Sequence, residues 1–294
     1  NFVILSSINS TIFLLLLLFL DQMLLVVCQH QHMERNDSTN YFKDCVDMES
    51  MTKYIHKKRT EGLKGFGAMH VLVGAYVRTV SQKPGLNRFL SGLRIFARKD
   101  IQVIMEVKKS LELNAPATMM KFKFSPKDTI YDVYKTMNTM IVEYQSKDEE
   151  ENAFDSVAKL LGILPRFILR FVVWILKCLD YNGLLPRFLL DISPFHGSLV
   201  ITSMASLGIP PIYHHLYNFG NVPVFISFSG TRHEYKLNKD GEVKNHRYFD
   251  LNISTDERIC DGQYYSAVIK DLKHFLTNPE LLDNPPEQIF EDIR

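Results

Sequence analysis

Apolar residues between positions 63 and 80 recur every three or four residues, and this spacing predicts an amphipathic helix. The apolar positions are Phe66, Met69, Val73, Val77 and Val80. Residues at this spacing share one face of an α-helix, which would be buried against the rest of the domain. The helix is expected to end at Lys83, because Pro84 and Gly85 follow it directly.

Strand-like patterns follow this helix. In residues 101–107 every second position is apolar and glutamine and glutamate occupy two of the intervening ones, which is the pattern of a half-buried strand. Shorter strands are predicted at residues 93–98 and 121–124. After a serine–proline pair, a second helix is predicted from residue 128 to about residue 146.

Residues 157–191 form a second apolar block that carries Arg166, Arg170 and Lys177 at helical spacing. The charges argue against a membrane span. We predict a helix that packs on the domain or on a neighbouring subunit, with a membrane-surface helix as the less favoured alternative.

The remainder of the chain is rich in predicted strands. Strands are expected at residues 198–202, 223–228 and 245–253, with a hairpin turn at residues 239–241, and a last helix at residues 263–275. Helices and strands are mixed, and the late strands are antiparallel. The expected fold class is therefore α+β, a two-layer sandwich in which helices cover one face of a mixed sheet.

The N-terminal region differs from the rest. Residues 11–28 are nearly all apolar, interrupted by Asp21 and Gln22, and their length is near that of a membrane span or a signal-peptide core. No Lys or Arg precedes them, and a carboxylate near the middle of a span costs about 2.5–3.5 kcal/mol. Met33 would make a natural start, so we favour sequence upstream of the true reading frame over a membrane anchor or a signal. The chain is divided into an apolar leader and polar linker (1–42), a catalytic-type domain (43–285) and a tail (286–294).

The composition excludes several kinds of function. The 294 residues have a formal net charge of +1, which provides no basic surface for nucleic acid. No phosphate-binding glycine motif is present. The four cysteines lack the spacing of a zinc site or a disulfide framework, so we expect no metal and a reducing compartment, the cytoplasm.

The most informative motif follows the last predicted strand. Residues 256–262 have the sequence Asp-Glu-Arg-Ile-Cys-Asp-Gly. This resembles the His-x-x-x-Asp-Gly motif of the chloramphenicol acetyltransferase family, and it is even more similar to the catalytic domain of the 2-oxoacid dehydrogenase dihydrolipoyl acyltransferases. Glu257 stands at the position of the catalytic histidine of that family.

Other segments support the resemblance in the same order along the chain. Residues 71–107, with a Pro-Gly-Leu-Asn turn, look like the helix, turn and strands of the family. Residues 197–230 are similar to its Gly-Thr-x-Thr-x-Ser-Asn-Leu-Gly segment and the strand after it. The resemblance covers about residues 43–283 and implies a chloramphenicol acetyltransferase-like fold.

The resemblance implies acyl transfer between coenzyme A and a thiol or hydroxyl acceptor. In this reaction a histidine removes the proton of the acceptor and a hydroxyl stabilises the oxyanion of the tetrahedral intermediate. The oxyanion hydroxyl corresponds to Thr202, with Ser203 as the alternative if the register differs by one. Ser203 and Gly262 are expected to contact coenzyme A, and Gly262 to permit a close backbone approach.

The same resemblance implies a structural role for Asp261. Its expected partner is Arg59, from an early segment, in a buried ion pair. Removing one partner of such a pair costs about 3–5 kcal/mol, because the other charge is left buried.

The absent histidine leaves two functions open. A glutamate, with an ordinary pKa near 4.3, is a weaker base than a histidine near 6.5 unless a dry site raises its pKa. The first hypothesis is an acyltransferase whose activity is weak or lost, with Glu257 as base or relic. The second is a non-catalytic binding or scaffold protein, a pseudoenzyme. His196, His214 and His215 are candidate substitute bases, although a packing role is favoured for the last two.

Cofactor and partner expectations also follow from the resemblance. Coenzyme A or an acyl-CoA is expected as substrate, without a metal and without a lipoyl group on this chain. The protein is expected to be a stand-alone homotrimer with the acceptor channel between subunits, and its partners to be a small-molecule acyl donor and acceptor. Membrane attachment follows only if residues 11–28 are retained.

Overall fold

The computed structural model describes residues 35–109, 117–146, 153–237 and 240–292. The strands are β1 (Thr39–Asp47), β2 (Arg88–Ser91), β3 (Arg94–Ala97), β4 (Ile101–Lys108), β5 (Ala117–Phe124), β6 (Leu199–Ser203), β7 (Val224–Leu237) and β8 (Val243–Asp256). The helices are α1 (Glu49–Thr60), α2 (Ala68–Gln82), α3 (Ile130–Ser146), α4 (Ala153–Gly162), α5 (Arg166–Tyr181), α6 (Arg187–Ile192) and α7 (Gly262–Thr277).

A mixed six-stranded sheet with the order β1-β8-β7-β6-β4-β5 forms the centre of the fold. Strands β4, β6 and β7 are parallel to one another, whereas β5, β8 and β1 each run antiparallel to the strand they join. Strands β2 and β3 pair separately as a small antiparallel sheet. In the large sheet Thr202 lies opposite Ser227, and Ser227 lies opposite Asn252.

Alternate side chains of the central strands face opposite sides of the sheet. Ile101, Val103 and Met105 of β4 are buried in the main core, whereas Ile104 belongs to a second apolar cluster on the other face. Helices α1, α2, α3 and α7 cover the first face, to which they contribute Met51, Val77, Val133 and Leu272 among others. Because side chains alternate with a period of two along a strand, this burial follows from the sequence pattern. The predicted α+β sandwich with helices on one face is confirmed.

The predicted elements differ from the structure mainly at their ends. Helix α2 begins at Ala68 and not near residue 63. Strands β7 and β8 are each 14 residues long and form an extended hairpin beyond the predicted ranges. The turn of this hairpin includes Gly241, whose φ of 80° requires the left-handed region that glycine favours. Residues 238 and 239 lie outside the described part.

The structured region extends beyond residues 43–285 at both ends. Strand β1 begins at Thr39, and the side chain of Arg35 is buried, so the end of the predicted linker belongs to the domain. In the predicted tail, the Phe290 amide donates to the Ser81 carbonyl at 3.0 Å, and Arg88 Nε donates to Asp292 Oδ2 at 2.7 Å. The apolar segment 11–28 and Met33 lie outside the described residues.

The apolar block at residues 157–191 forms helices α4, α5 and α6. No residue of α5 is fully buried. Helix α5 therefore packs on the domain by one side only, and the alternative contact with a neighbouring subunit stays a prediction. Among the described residues, no helix combines the length and apolar character needed to cross a bilayer.

Candidate active site

Glu257 lies at the point where the chain leaves β8. The last β8 residue, Asp256, pairs with Thr39 of β1, and the Glu257 amide continues this contact by donating to the Ser38 carbonyl at 3.0 Å. Asn40 Nδ2 donates to Glu257 Oε2 at 2.9 Å. The half-buried glutamate is therefore fixed by strand β1 on both its backbone and its side chain.

A buried cluster of charges lies directly behind Glu257. Arg258 Nε donates to Asp256 Oδ1 and Arg258 Nη2 donates to Asp256 Oδ2, both at 2.8 Å. Arg35 Nε lies 3.4 Å from Asp256 Oδ2, and Ser38 Oγ donates to Asp256 Oδ1 at 3.2 Å. A two-pronged guanidinium–carboxylate contact of this kind is strong and geometrically specific. The cluster holds the motif loop in one position.

The cluster contains two guanidinium groups and one carboxylate. Burial lowers the pKa of Arg35 to about 10, although the charge of Asp256 acts in the opposite direction. Arg35 also donates through Nη1 to the Tyr217 carbonyl at 3.1 Å and through Nη2 to the Gly220 carbonyl. The charge of Asp180 also acts to raise the pKa of Arg35.

Two adjoining clefts open at this edge of the sheet. The smaller, of about 240 Å³, is lined by Arg35, Arg258 and Gly220 among others. The larger, of about 770 Å³, lies between the β2–β3 hairpin and the segment that connects α5 to α6. Both are lined by Asp180 and Tyr181. The larger volume falls within the range of small-molecule sites, roughly 300–1,000 Å³.

Asp180 connects the two clefts through hydrogen bonds. His196 Nε2 lies 2.9 Å from Asp180 Oδ1, and the Gly220 amide donates to Asp180 Oδ2 at 2.9 Å. Burial opposes ionisation of Asp180, but these hydrogen bonds and the charges of His196 and Arg35 outweigh it and lower its pKa. His196 Nδ1 is 2.8 Å from Ser193 Oγ, so both ring nitrogens are engaged. His196 is therefore held as a link between α5 and β6.

Arg98 lies in the wall of the larger cleft. Its guanidinium group stands over the Phe89 ring, 4.2 Å from the centroid, and donates through Nη2 to the Asn221 carbonyl at 3.2 Å. Burial lowers the pKa of Arg98 to about 10. Its buried Nε has no hydrogen-bond partner among the described residues.

The structure does not bring Thr202 and Glu257 together within one chain. Thr202 aligns across the sheet with Asn252, five residues before Glu257. At about 3.4 Å per residue, the two residues are separated by about 17 Å along the strand direction. Across the sheet they are separated by two further interstrand spacings of about 4.8 Å each. Thr202 lies on the sheet face that the helices do not cover. The two residues therefore do not share a cleft within one chain.

Ser203 lies next to Thr202 at the end of β6. Both side chains are half-buried. The Ala205 amide donates to Ser203 Oγ at 3.3 Å, so this hydroxyl serves the turn that follows the strand. Its predicted contact with coenzyme A stays a prediction.

The predicted ion pair of Arg59 and Asp261 is wrong. Asp261 is exposed and is the N-cap of α7, where Oδ1 accepts from the Tyr264 amide at 2.7 Å. Arg59 is exposed at the end of α1, and its Nε donates to the Phe66 carbonyl at 2.7 Å. The motif aspartate is therefore used to satisfy the free amides of a helix start, which carboxylates do well.

The buried cation of the early segment is the neighbouring residue, Lys58. Its Nζ lies 2.9 Å from Asp283 Oδ2 and donates to Tyr131 Oη at 2.6 Å. The spacing of α1 turns Lys58 inward with Met51 and Tyr54, and Arg59 outward. The resemblance therefore identified neither member of this pair, since the buried cation is Lys58 and its carboxylate partner is Asp283.

The predicted close backbone approach at Gly262 is also wrong, whereas its predicted contact with coenzyme A stays a prediction. A Cβ atom at this position would meet nothing within 4 Å, and Gly262 is the first residue of α7. No close backbone approach therefore requires glycine here.

Replacing Asp261 with alanine is expected to lower the free energy of unfolding by about 1 kcal/mol, the usual cost of losing an N-cap. A buried ion pair would have cost about 3–5 kcal/mol. Urea unfolding of the wild type and the variant measures the difference. Asp261→Asn is the matched control, because asparagine retains a capping oxygen. Its free energy of unfolding should stay close to that of the wild type. A decrease of more than about 3 kcal/mol in the free energy of unfolding of Asp261→Ala would contradict the capping role and indicate a buried ion pair.

His214 and His215 pack against each other and against neighbouring rings. The His214 ring stacks on Phe225 with a centroid distance of 4.2 Å and on His215 at 4.6 Å. This agrees with the packing interpretation. Within the described part of the chain, no group of three or more His, Cys, Asp or Glu residues could hold a metal ion, and Cys45, Cys178 and Cys260 are free.

Solved structures similar in fold to this chain include dihydrolipoamide acetyltransferases and a 2-oxoacid dehydrogenase core. A probable dihydrolipoamide acetyltransferase from Listeria monocytogenes 4b F2365 has 13% identity and a TM-score of 0.56, over 82% of this chain and 84% of that one. The dihydrolipoamide acetyltransferase of Azotobacter vinelandii has 11% identity and a TM-score of 0.55, over 86% and 89%. A truncated catalytic core of the 2-oxoacid dehydrogenase multienzyme complex from Thermoplasma acidophilum has 12% identity and a TM-score of 0.52, over 82% and 87%. This chain has the dihydrolipoamide acetyltransferase fold.

The resemblance deduced from the motifs is thus confirmed at the level of fold. No family model matches the sequence, and no curated protein does. Identities this low establish a dihydrolipoamide acetyltransferase fold and leave the activity to experiment.

Sequence reasoning missed Arg35, Asp256 and Arg258 as a unit. Asp256 and Arg258 flank Glu257 in the motif, and their opposite charges two residues apart were the available signal for a buried pair. Arg35 gave no signal, because it lies in a stretch of polar residues that predicts a linker. Its contact with Asp256 joins residues 221 positions apart along the chain, and only the β1–β8 pairing makes it possible.

Proposed function

We propose that this protein binds an acyl-coenzyme A thioester and slowly transfers the acyl group to a thiol or hydroxyl acceptor. The observation that carries the proposal is an acetyltransferase-type fold whose motif loop, 256–262, is fixed at the end of β8 by a buried cluster of charges. For the Azotobacter vinelandii enzyme, a serine and a histidine have been investigated for their role in the catalytic mechanism. Thr202 and Glu257 are the hydroxyl and the proton acceptor that we assign to the same steps here.

In the proposed reaction the acceptor sulfur or oxygen attacks the thioester carbonyl carbon. Its proton passes to the Glu257 carboxylate, and the Thr202 hydroxyl donates to the oxyanion that forms. The carbon–sulfur bond to coenzyme A then breaks, and the proton passes from Glu257 to the leaving thiolate. No other reactant is required.

The separation of Thr202 and Glu257 in one chain supports an intersubunit site. We assign the two groups of one site to neighbouring subunits of a homotrimer. The segment next to Thr202 exposes Leu207, Ile209 and Ile212, on the sheet face that the helices leave uncovered. Contiguous exposed apolar residues of this kind favour a protein contact.

The second candidate function is non-catalytic binding of the same thioester. It is favoured by the contacts of Glu257, since Asn40 Nδ2 donates to its carboxylate and its backbone amide donates to the Ser38 carbonyl. A carboxylate kept for these contacts has a structural role even if no proton is transferred.

The test is thiol release from acetyl-CoA in the presence of a panel of thiols and alcohols. Thr202→Val is expected to lower the rate about 10²–10³-fold, the cost of losing one oxyanion donor. Thr139→Val is the matched control, because Thr139 is exposed on the outer side of α3, and it should leave the rate unchanged. Equal rates for Thr202→Val and the wild type would contradict the assignment of Thr202.

Calorimetry with coenzyme A and acetyl-CoA separates the two candidate functions. Binding without turnover for any acceptor would favour the binding protein. Absence of binding would contradict both candidates.

Mixed trimers test the intersubunit site directly. Subunits carrying Thr202→Val and subunits carrying Glu257→Gln are expected to be nearly inactive alone. When the two kinds of subunit are co-expressed and assemble at random, about one neighbouring pair in four combines an intact Thr202 with an intact Glu257. The mixed trimers should therefore regain about a quarter of the wild-type activity. No recovery in mixed trimers would contradict a shared site.

The proposal includes a reducing compartment such as the cytoplasm. Cys45 and Cys178 are partly exposed free thiols and Cys260 is buried. Free thiols persist where disulfides are kept reduced.

A further inference from the structure

Helix α5 presents a row of aromatic side chains to the outside of the molecule. Phe167, Phe171, Trp174 and Tyr181 follow one another at helical spacing, so they share one face. Phe167 is 74% exposed, Phe171 59% and Trp174 60%. The rings of Phe171 and Trp174 stack with centroids 6.0 Å apart. We refer to these four residues as the α5 outer face.

Basic residues run alongside the α5 outer face. Arg170 is three residues after Phe167 and four before Trp174, and Lys177 is three after Trp174 and four before Tyr181. Residues at these spacings are neighbours on a helix surface. Arg166 extends the basic row at the start of the helix. All three basic side chains are exposed.

The single carboxylate of α5 does not neutralise this row. The Asp180 side chain is only 18% exposed, and its oxygens accept from His196 Nε2 and from the Gly220 amide. The outer surface of the helix is therefore apolar and positively charged at once.

The exposed apolar surface continues beyond α5 at both ends. Ile163, just before the helix, is 79% exposed. Leu184 and Phe188, just after it, are 67% and 64% exposed. A contiguous exposed apolar patch flanked by charge marks an interaction surface.

The charges decide which partner fits. If a second copy covered this surface by a two-fold contact, it would bring Arg166, Arg170 and Lys177 of both chains together, and like charges repel. Phosphate and carboxylate headgroups of an anionic bilayer carry the complementary charge. A helix with aromatic residues on one side and Lys and Arg beside them is the pattern of an interfacial helix.

We propose that the α5 outer face binds the surface of an anionic lipid bilayer. The aromatic rings enter the boundary between headgroups and acyl chains, while the basic row contacts the headgroups. The inward side of the helix, with Ile168, Val172 and Leu176, stays half-buried against the protein. Tyr181 belongs to the α5 outer face and also lines the larger cleft, so binding brings this cleft next to the lipid.

The test uses the full chain and its single tryptophan, Trp174. Tryptophan emission is recorded with vesicles of phosphatidylcholine alone and of phosphatidylcholine mixed with phosphatidylserine. The mixed vesicles are expected to shift the emission to shorter wavelength and to protect Trp174 from acrylamide. The neutral vesicles should give at least about a tenfold weaker response at equal lipid, and added salt should weaken the response to mixed vesicles.

Variants identify the surface that binds. Phe167→Glu combined with Phe171→Glu should lower vesicle affinity more than about tenfold while leaving the unfolding transition unchanged, since both residues are exposed. Leu237→Glu is the matched control, because Leu237 is 72% exposed at the far tip of the β7–β8 hairpin. It should bind as the wild type does. Arg170→Gln with Lys177→Gln should abolish the preference for anionic lipid.

Two results would overturn the proposal. The first is co-sedimentation of the chain with vesicles while Trp174 emission stays that of a water-exposed indole, since another segment would then bind the lipid. The second is a shift to shorter wavelength without lipid that grows with protein concentration and disappears in the Phe167→Glu, Phe171→Glu variant. That result would assign the α5 outer face to a second copy of the chain.

Discussion

Replacing Asp256 with asparagine is expected to lower the free energy of unfolding by about 3–5 kcal/mol, the cost of leaving a buried charge without its partner. Asp256 is buried and is the carboxylate that both Arg35 and Arg258 contact. Without its negative charge, two guanidinium groups would lie together in a poorly solvated site. Burial already lowers the pKa of Arg35, and Asp256 is the group that chiefly opposes this. Urea or guanidinium unfolding at neutral pH measures the loss.

A matched control separates this effect from the general cost of removing a charge. Asp191→Asn breaks the ion pair with Lys123, whose side chains are 56% and 52% exposed, and it should leave the unfolding midpoint nearly unchanged. A triple variant with Asp256→Leu, Arg35→Met and Arg258→Met should recover part of the lost stability, because no buried charge remains unpaired. An Asp256→Asn protein within 1 kcal/mol of the wild type would contradict a buried cluster.

The alternation and spacing of apolar residues were enough to predict most of the fold. Ile101, Val103 and Met105 alternate with a period of two and are buried on one face of β4, as that period requires. Val73, Val77 and Val80 recur with the period of a helix and are buried in α2. These patterns are local, so a sequence displays them directly.

The errors concern contacts that depend on the rotation of a helix or on the pairing of distant strands. Lys58 and Arg59 are adjacent and both basic, and only the rotation of α1 decides which of them is buried. Arg35 meets Asp256 only because β1 pairs with β8. The distance between Thr202 and Glu257 depends on the registers of β6 with β7 and of β7 with β8. Nothing in the sequence of either segment specifies these registers.

The exposure of α5 could not be predicted for a different reason. Its sequence is apolar on most sides, which is typical of a helix that is buried somewhere. A hydrophobic pattern indicates how much apolar surface is buried but does not identify the partner that buries it. The basic row at Arg166, Arg170 and Lys177 was the only feature of the sequence indicating that the surface that binds α5 carries negative charge.

Replacing Glu257 with histidine is expected to raise the rate of acyl transfer by about 10²-fold, the lower end of what a general base contributes. An imidazole has an ordinary pKa near 6.5, about two units above that of a glutamic acid, and it accepts the proton of a thiol more readily. An imidazole with an ordinary pKa is mostly unprotonated, and therefore basic, at neutral pH. The measurement is thiol release from acetyl-CoA under the conditions used for the wild type.

Glutamine at the same position provides the necessary comparison. Glu257→Gln keeps the size of the side chain and an oxygen that can accept from Asn40 Nδ2, so the loop should stay in place. Its transfer rate should fall below that of the wild type if the carboxylate acts as the base, and should equal it if the carboxylate only accepts from Asn40. A Glu257→His protein no faster than Glu257→Gln would show that position 257 does not face the acceptor, and the site would then have to be sought in the cleft lined by His196 and Arg98. Because the three proteins differ at one side chain whose backbone is held by Ser38, a difference in rate among them reports on proton transfer and not on the fold.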